Sequence, residues 1–197
     1  MSARSSLLNH DLLVMQQIRG GLSVEFDIQD SQGQVVGMVG GTESGIRRFF
    51  AGCREFDVLD VDGMRLAHVS DIRDFWRDTY QITRGDGSVL ASIARKSAFF
   101  SVKFSIVLAS GEQLMVRGSF MSREFDVVNS ASEEIVAQVS RERAGFAEAI
   151  LGHDRYALYF PEGTSTDLRL AIIGGMIALD LMRAKDTASS TNNSNKS

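Results

Sequence analysis

Few residues in this chain have both the type and the spacing that bond chemistry requires. Gly41-Thr-Glu-Ser44-Gly45 places a serine between glycines, but one residue out of register with the G-x-S-x-G nucleophile elbow, and reads as a turn. Asp60-Val-Asp62-Gly63 resembles the start of a calcium loop. Position five, where a third oxygen ligand belongs, is Met64, so this too reads as a hairpin turn. Cys53 stands beside Arg54, which would favour its thiolate, yet a lone cysteine between Gly52 and a strand reads as structural. His10, His68 and His153 are too scattered to hold a metal together, and His68 reads as a half-buried, hydrogen-bonded histidine on a strand. The residues therefore predict a protein without bond chemistry. Two basic pairs carry more: Arg47-Arg48 precedes Phe49-Phe50, and Arg95-Lys96 precedes Phe99-Phe100. Cations beside rings are what a membrane-surface contact uses, because the charges meet anionic headgroups while the rings settle at the interface. The competing reading is a solvated loop followed by strand-starting phenylalanines. Arg95, Lys96 and Arg117 could also line an anion pocket on the outside of the fold.

The composition limits what can position these residues. With 197 residues the chain has enough length for one domain with a full core. A formal net charge of -4 argues against a nucleic-acid binder driven by bulk basicity. The single cysteine excludes an internal disulfide framework and a multi-cysteine zinc site. The first residues lack a charged stretch, apolar run and cleavage site, so a cytoplasmic location is expected. Eighteen glycines against one proline favour many tight turns.

An internal repeat gives those turns an order. Phe26, Phe56, Tyr80, Phe104, Phe125 and Tyr156 are each followed seven positions later by Gly33, Gly63, Gly87, Gly111, Ser132 and Gly163, so five of six carry glycine. Arg54–Val58 and Arg123–Val127 share one five-residue sequence. Each unit reads as a β-hairpin: an aromatic anchors the outgoing strand, glycine takes the positive-φ turn position, and an apolar strand returns. Alternation supports strands: Val102, Phe104, Ile106 and Leu108 share one face, Ser101, Lys103 and Ser105 the other. Five hairpins, an early strand at Leu12–Gln16 and a last strand from Tyr156 make about twelve strands.

Beyond Asp167, a plausible N-cap, Leu168–Met182 is apolar almost all round, broken only by Arg169 and Asp180. Such a helix is either buried in protein or set in a bilayer, although a span needs about 20 apolar residues. Ala171, Gly174, Gly175 and Ala178 form a small-residue stripe that would let it approach a wall closely. A barrel of more than eight strands leaves a lumen that needs a plug, and a central helix is one solution. Arg169 and Asp180, if buried, need partners, expected from strand residues near the barrel ends. The expectation is a mainly β fold: a closed antiparallel barrel of about twelve strands over residues 11–185, with a buried C-terminal helix (167–184) through its centre. Residues 1–10 read as a flexible lead-in, and 186–197 as a disordered tail.

The end region, Tyr156-Ala-Leu-Tyr-Phe160-Pro161 followed by Asp167-Leu-Arg-Leu-Ala171 and Ala178-Leu-Asp180, resembles the phospholipid scramblases within the Tubby C-terminal-like superfamily, which includes the LURP-one-related proteins. The likeness runs from about Leu7 to Lys185 and also takes in Leu12–Gln16 and Phe26–Gly33. It implies a barrel with a terminal helix, a scramblase-like function that binds phospholipid headgroups at a membrane surface and could move phospholipids between leaflets, and a calcium-binding segment before the helix. For that segment only Asp154, Glu162 and Asp167 offer carboxylates, against the six to eight oxygens calcium takes, so tight binding is not expected. The lipid-binding expectation falls on Arg47, Arg48, Arg95 and Lys96. The alternative is a soluble, non-enzymatic ligand-binding or scaffold module of the Tubby or LURP-one type, with no cofactor.

Overall fold

The six repeated aromatics take equivalent places in the fold. Each stands in an even-numbered strand with its ring turned inward, and none is more than 6% exposed. The computed structural model describes residues 7–20, 23–41, 55–74, 77–98, 101–118, 124–143 and 154–179. They form twelve antiparallel strands: β1 (Leu12–Gly20), β2 (Ser23–Gln29), β3 (Val35–Gly41), β4 (Glu55–Asp60), β5 (Arg65–Asp74), β6 (Arg77–Arg84), β7 (Val89–Ala98), β8 (Ser101–Leu108), β9 (Gln113–Arg117), β10 (Glu124–Asn129), β11 (Ile135–Arg143) and β12 (Asp154–Tyr159). Neighbours in sequence are neighbours in space, and β12 pairs with β1 to close the barrel. Closure leaves no sheet edge to protect.

Alternation sets the two faces. In β4, Phe56 and Val58 are buried while Asp57 between them is not. Phe26 and Ile28, Tyr80 and Ile82, and Tyr156 and Leu158 follow the same rule. Across four of the five hairpins the aromatic meets an aliphatic partner: Phe26 meets Val39, Phe56 meets Val69, Tyr80 meets Ile93 and Phe125 meets Val139. Such cross-strand pairs are the unit of sheet stabilisation.

One end of the barrel is made of the repeated turns. Asp30 N–H donates to Gln34 O and Gly33 N–H to Asp30 O; the pattern returns at Asp60/Met64 with Gly63, Arg84/Ser88 with Gly87, and Leu108/Glu112 with Gly111. The glycines have φ from 76° to 90°, which a side chain rarely adopts, and the register shifts by one residue after the turn in three of these hairpins. The fifth turn departs from the repeat. It is one residue longer, closing from Asn129 to Glu134, and the positive φ falls on Glu133 (61°) rather than Ser132.

In the sixth unit the chain after Gly163 returns as a helix. α1 covers residues 166–179, and its cap is Ser165, whose Oγ accepts the Leu168 N–H at 3.3 Å. Asp167 is therefore not the cap but lies in the first turn, where the helix dipole still favours its charge. From Leu170 to Leu179 every residue is buried, on all faces of the helix. A Cβ on Gly174 would fall 2.6 Å from Ile82 Cδ1 and 3.4 Å from Val69 Cγ2, and one on Gly175 would fall 2.7 Å from Ile106 Cδ1. The helix thus touches inward side chains of β5, β6 and β8 and shares one core with all twelve strands. It fills the lumen that twelve strands would otherwise leave.

Where the sequence reads as a flexible lead-in, Leu7–Asn9 form a 3-10 turn and Leu7 is fully buried. Its N–H donates to the Asp60 carboxylate at 3.1 Å, and its side chain packs against Gly37, where a Cβ would lie 3.1 Å from Leu7 Cδ2 and 2.7 Å from Leu59 O.

Candidate functional site

The turn end is held by two arginines. Arg84, last in β6, grips Asp167 through Nε–Oδ1 (3.2 Å) and Nη2–Oδ2 (2.7 Å), and donates to Ser88 Oγ and Val89 O. The hydrogen bond from Arg84 holds the Asp167 carboxyl below its ordinary value, and Asp167 in turn raises Arg84. Arg169 is buried in the first turn of α1. It donates to Thr164 O (3.0 Å), to His10 O and to Asp11 Oδ1 (2.7 Å), with its guanidinium 5.0 Å from the Phe160 ring centroid. This buried cation is thus partnered near a barrel end, by residues just before β1 and just before α1 rather than by strand residues.

On the outer wall, His68 Nδ1 lies 2.8 Å from Asp57 Oδ1 across the β4–β5 pair, with Arg65 at 4.0 Å, in keeping with a hydrogen-bonded strand histidine. Arg117 donates to Asp126 Oδ2 at 2.8 Å. An anion pocket that used Arg117 would have to displace that carboxylate.

The carboxylates suggested for calcium are not brought together. Asp154 opens β12 and Glu162 lies exposed past its other end; the five steps from Asp154 to Tyr159 alone span about 16 Å. Asp167 is engaged by Arg84. Among the described residues no group of three or more His, Cys, Asp or Glu side chains is placed to hold a metal.

Of the two basic pairs, Arg95-Lys96 lies toward the other end of the barrel, away from the repeated turns. Arg47 and Arg48 fall outside the described residues, as do Cys53 and Asp180. Arg95 and Lys96 are on β7, and the β7–β8 register sets Arg95 opposite Phe104 and Lys96 opposite Lys103. Lys103 was not singled out from sequence. The signal was available, since Lys96 and Lys103 are equidistant from the Phe99-Phe100 pair that separates β7 from β8.

A barrel whose lumen is filled by its own C-terminal helix is the architecture expected from the resemblance. The family model described as LURP-one-related matches residues 10–179, nearly the whole barrel and helix. The chain belongs to the LURP-one-related family. A crystal structure of a protein from Arabidopsis thaliana is similar in fold to this LURP-one-related barrel, with a TM-score of 0.56 and 19% identity over 85% of this chain and 88% of that one. No curated protein matches the chain. No helix among the described residues of the LURP-one-related barrel is long and apolar enough to cross a membrane.

Proposed function

We propose that this LURP-one-related barrel is a non-enzymatic module that binds anionic phospholipid headgroups on its outside. The observation that carries the reading is Lys96 opposite Lys103 in the β7–β8 register, with Phe99 and Phe100 in the sequence that connects the two strands. Two cations at one register position match a phosphate, and adjacent rings suit the headgroup layer. The interior supports an external mode, because α1 occupies it from Leu170 to Leu179. The wall supports contact rather than insertion. Asp27, Asp57, His68 and Asp126 alternate with inward residues, whereas strands that span a bilayer turn an apolar band outward. Lipid movement between leaflets is not part of this reading.

Flotation with phosphatidylcholine vesicles, with and without phosphatidylserine, tests it. The protein should float only with the anionic vesicles, and the reversal Lys96→Glu with Lys103→Glu should abolish flotation. Adding Arg47→Glu and Arg48→Glu tests the second basic pair. A protein that stays at the bottom of every gradient returns the family's alternative, a soluble scaffold.

A further inference from the structure

Closure of the barrel gathers acidic residues at one end. The segments that build the turn end are 7–11, 30–35, 60–65, 84–89, 108–113, 129–135 and 160–169. They hold ten of the 25 acidic residues but three of the 21 basic ones. Arg84 and Arg169, two of those three, are committed to Asp167 and Asp11. Asp62, Asp86, Glu133, Glu134 and Glu162 are all exposed there. The rest of the chain, with 15 acidic and 18 basic residues, carries the opposite sign. A chain of net charge -4 thus concentrates its negative charge at the turn end. Strands of eight residues are roughly 26 Å long. Screening at physiological salt acts over about 8 Å, so a charged surface reads each end separately.

The geometry points to a fixed orientation: the barrel meets anionic lipid with the end away from the repeated turns, and the turn end faces water. This rests on the lipid-binding reading and adds to it which face makes contact. An anionic surface repels the ring of turn carboxylates, whatever apolar side chains lie among them. It attracts the end where Lys96 and Lys103 share a register position. The β7–β8 hairpin then points its tip at the headgroups, and the axis of α1 stands across the membrane plane.

Site-specific quenching tests the orientation. One sample carries a fluorophore on Cys53, the sole cysteine, which lies between β3 and β4, or on Ser101→Cys at the start of β8 in a Cys53→Ser background. The other carries it on Gln32→Cys in the first repeated turn of the same background, with Ser132→Cys as a second turn position. Each is bound to phosphatidylcholine–phosphatidylserine vesicles doped with a headgroup-nitroxide lipid. Quenching several-fold stronger at Cys53 or Ser101→Cys than at either turn position is expected. Equal quenching, or stronger quenching at the turns, in protein that floats would overturn the orientation while leaving lipid binding intact. Failure of every sample to float overturns both.

Discussion

Arg84 and Asp167, 83 residues apart in sequence, meet in two parallel hydrogen bonds that tie the end of β6 to the start of the central helix. The pair is the outer fastening of the plug. Asp167 remains half exposed, so its worth is that of a surface pair in good geometry, about 1 kcal/mol or less.

That pair has a pH signature. Arg84 holds the folded Asp167 carboxyl below its ordinary 3.8, so its contribution is present above about that pH and is lost as pH falls through the folded value. A double-mutant cycle with Arg84→Ala and Asp167→Ala should show coupling of about 0.5–1 kcal/mol at neutral pH by denaturant unfolding. The coupling should fall as pH drops below the ordinary carboxyl range and Asp167 takes up its proton; coupling that did not change with pH would mean the pair acts through packing.

Arg169 and Asp11 should behave unequally although they touch. Removing Arg169 strands the carbonyls of Thr164 and His10 and uncovers Phe160, whereas removing the well-exposed Asp11 leaves the guanidinium two acceptors. Arg169→Ala should cost about 2–4 kcal/mol and Asp11→Ala under about 1. Urea midpoints at constant m-value would check the ratio.

Glycine-to-alanine changes in α1 should reverse the usual sign. In an exposed helix the change gains about 1 kcal/mol. At Gly174 the new methyl would meet Ile82 and Val69, and overpacking costs about 1–3 kcal/mol. Gly174→Ala should therefore lower the melting temperature by several degrees. Ile82→Val, which deletes the obstructing Cδ1, should recover part of the loss in the double variant. A stabilising Gly174→Ala would place the helix elsewhere than in the lumen.

Calcium should leave the fold untouched. A site with Kd one hundred-fold below the calcium concentration would add about 2.7 kcal/mol of stability. With Asp154 and Glu162 at opposite ends of β12 and Asp167 held by Arg84, thermal melts with calcium or with chelator should coincide. A rise of several degrees would show a site formed by other residues.

The repeat of aromatic, turn glycine and apolar return strand was legible in the sequence because each hairpin is decided by contacts a few residues apart. Phe56, Gly63 and Val69 announce their unit without help from the rest of the chain. Even the departure at Ser132 is marked by the missing glycine, although only the structure shows Glu133 taking the positive φ. The all-round apolar character of Leu168–Met182 fixed burial but not its surroundings, since lipid and protein interior reward the same composition.

Tertiary structure alone decided which distant groups meet. The pairing of β12 with β1, the seating of Leu7 over Asp60, and the grip of Arg169 on Asp11 depend on a closed ring that local patterns do not encode. Closure also decided that the carboxylates of separate turns gather at one end. Spacing along a chain determines a face and a turn. A charge acts through space, over a Debye length, and its neighbours exist only once the barrel has closed.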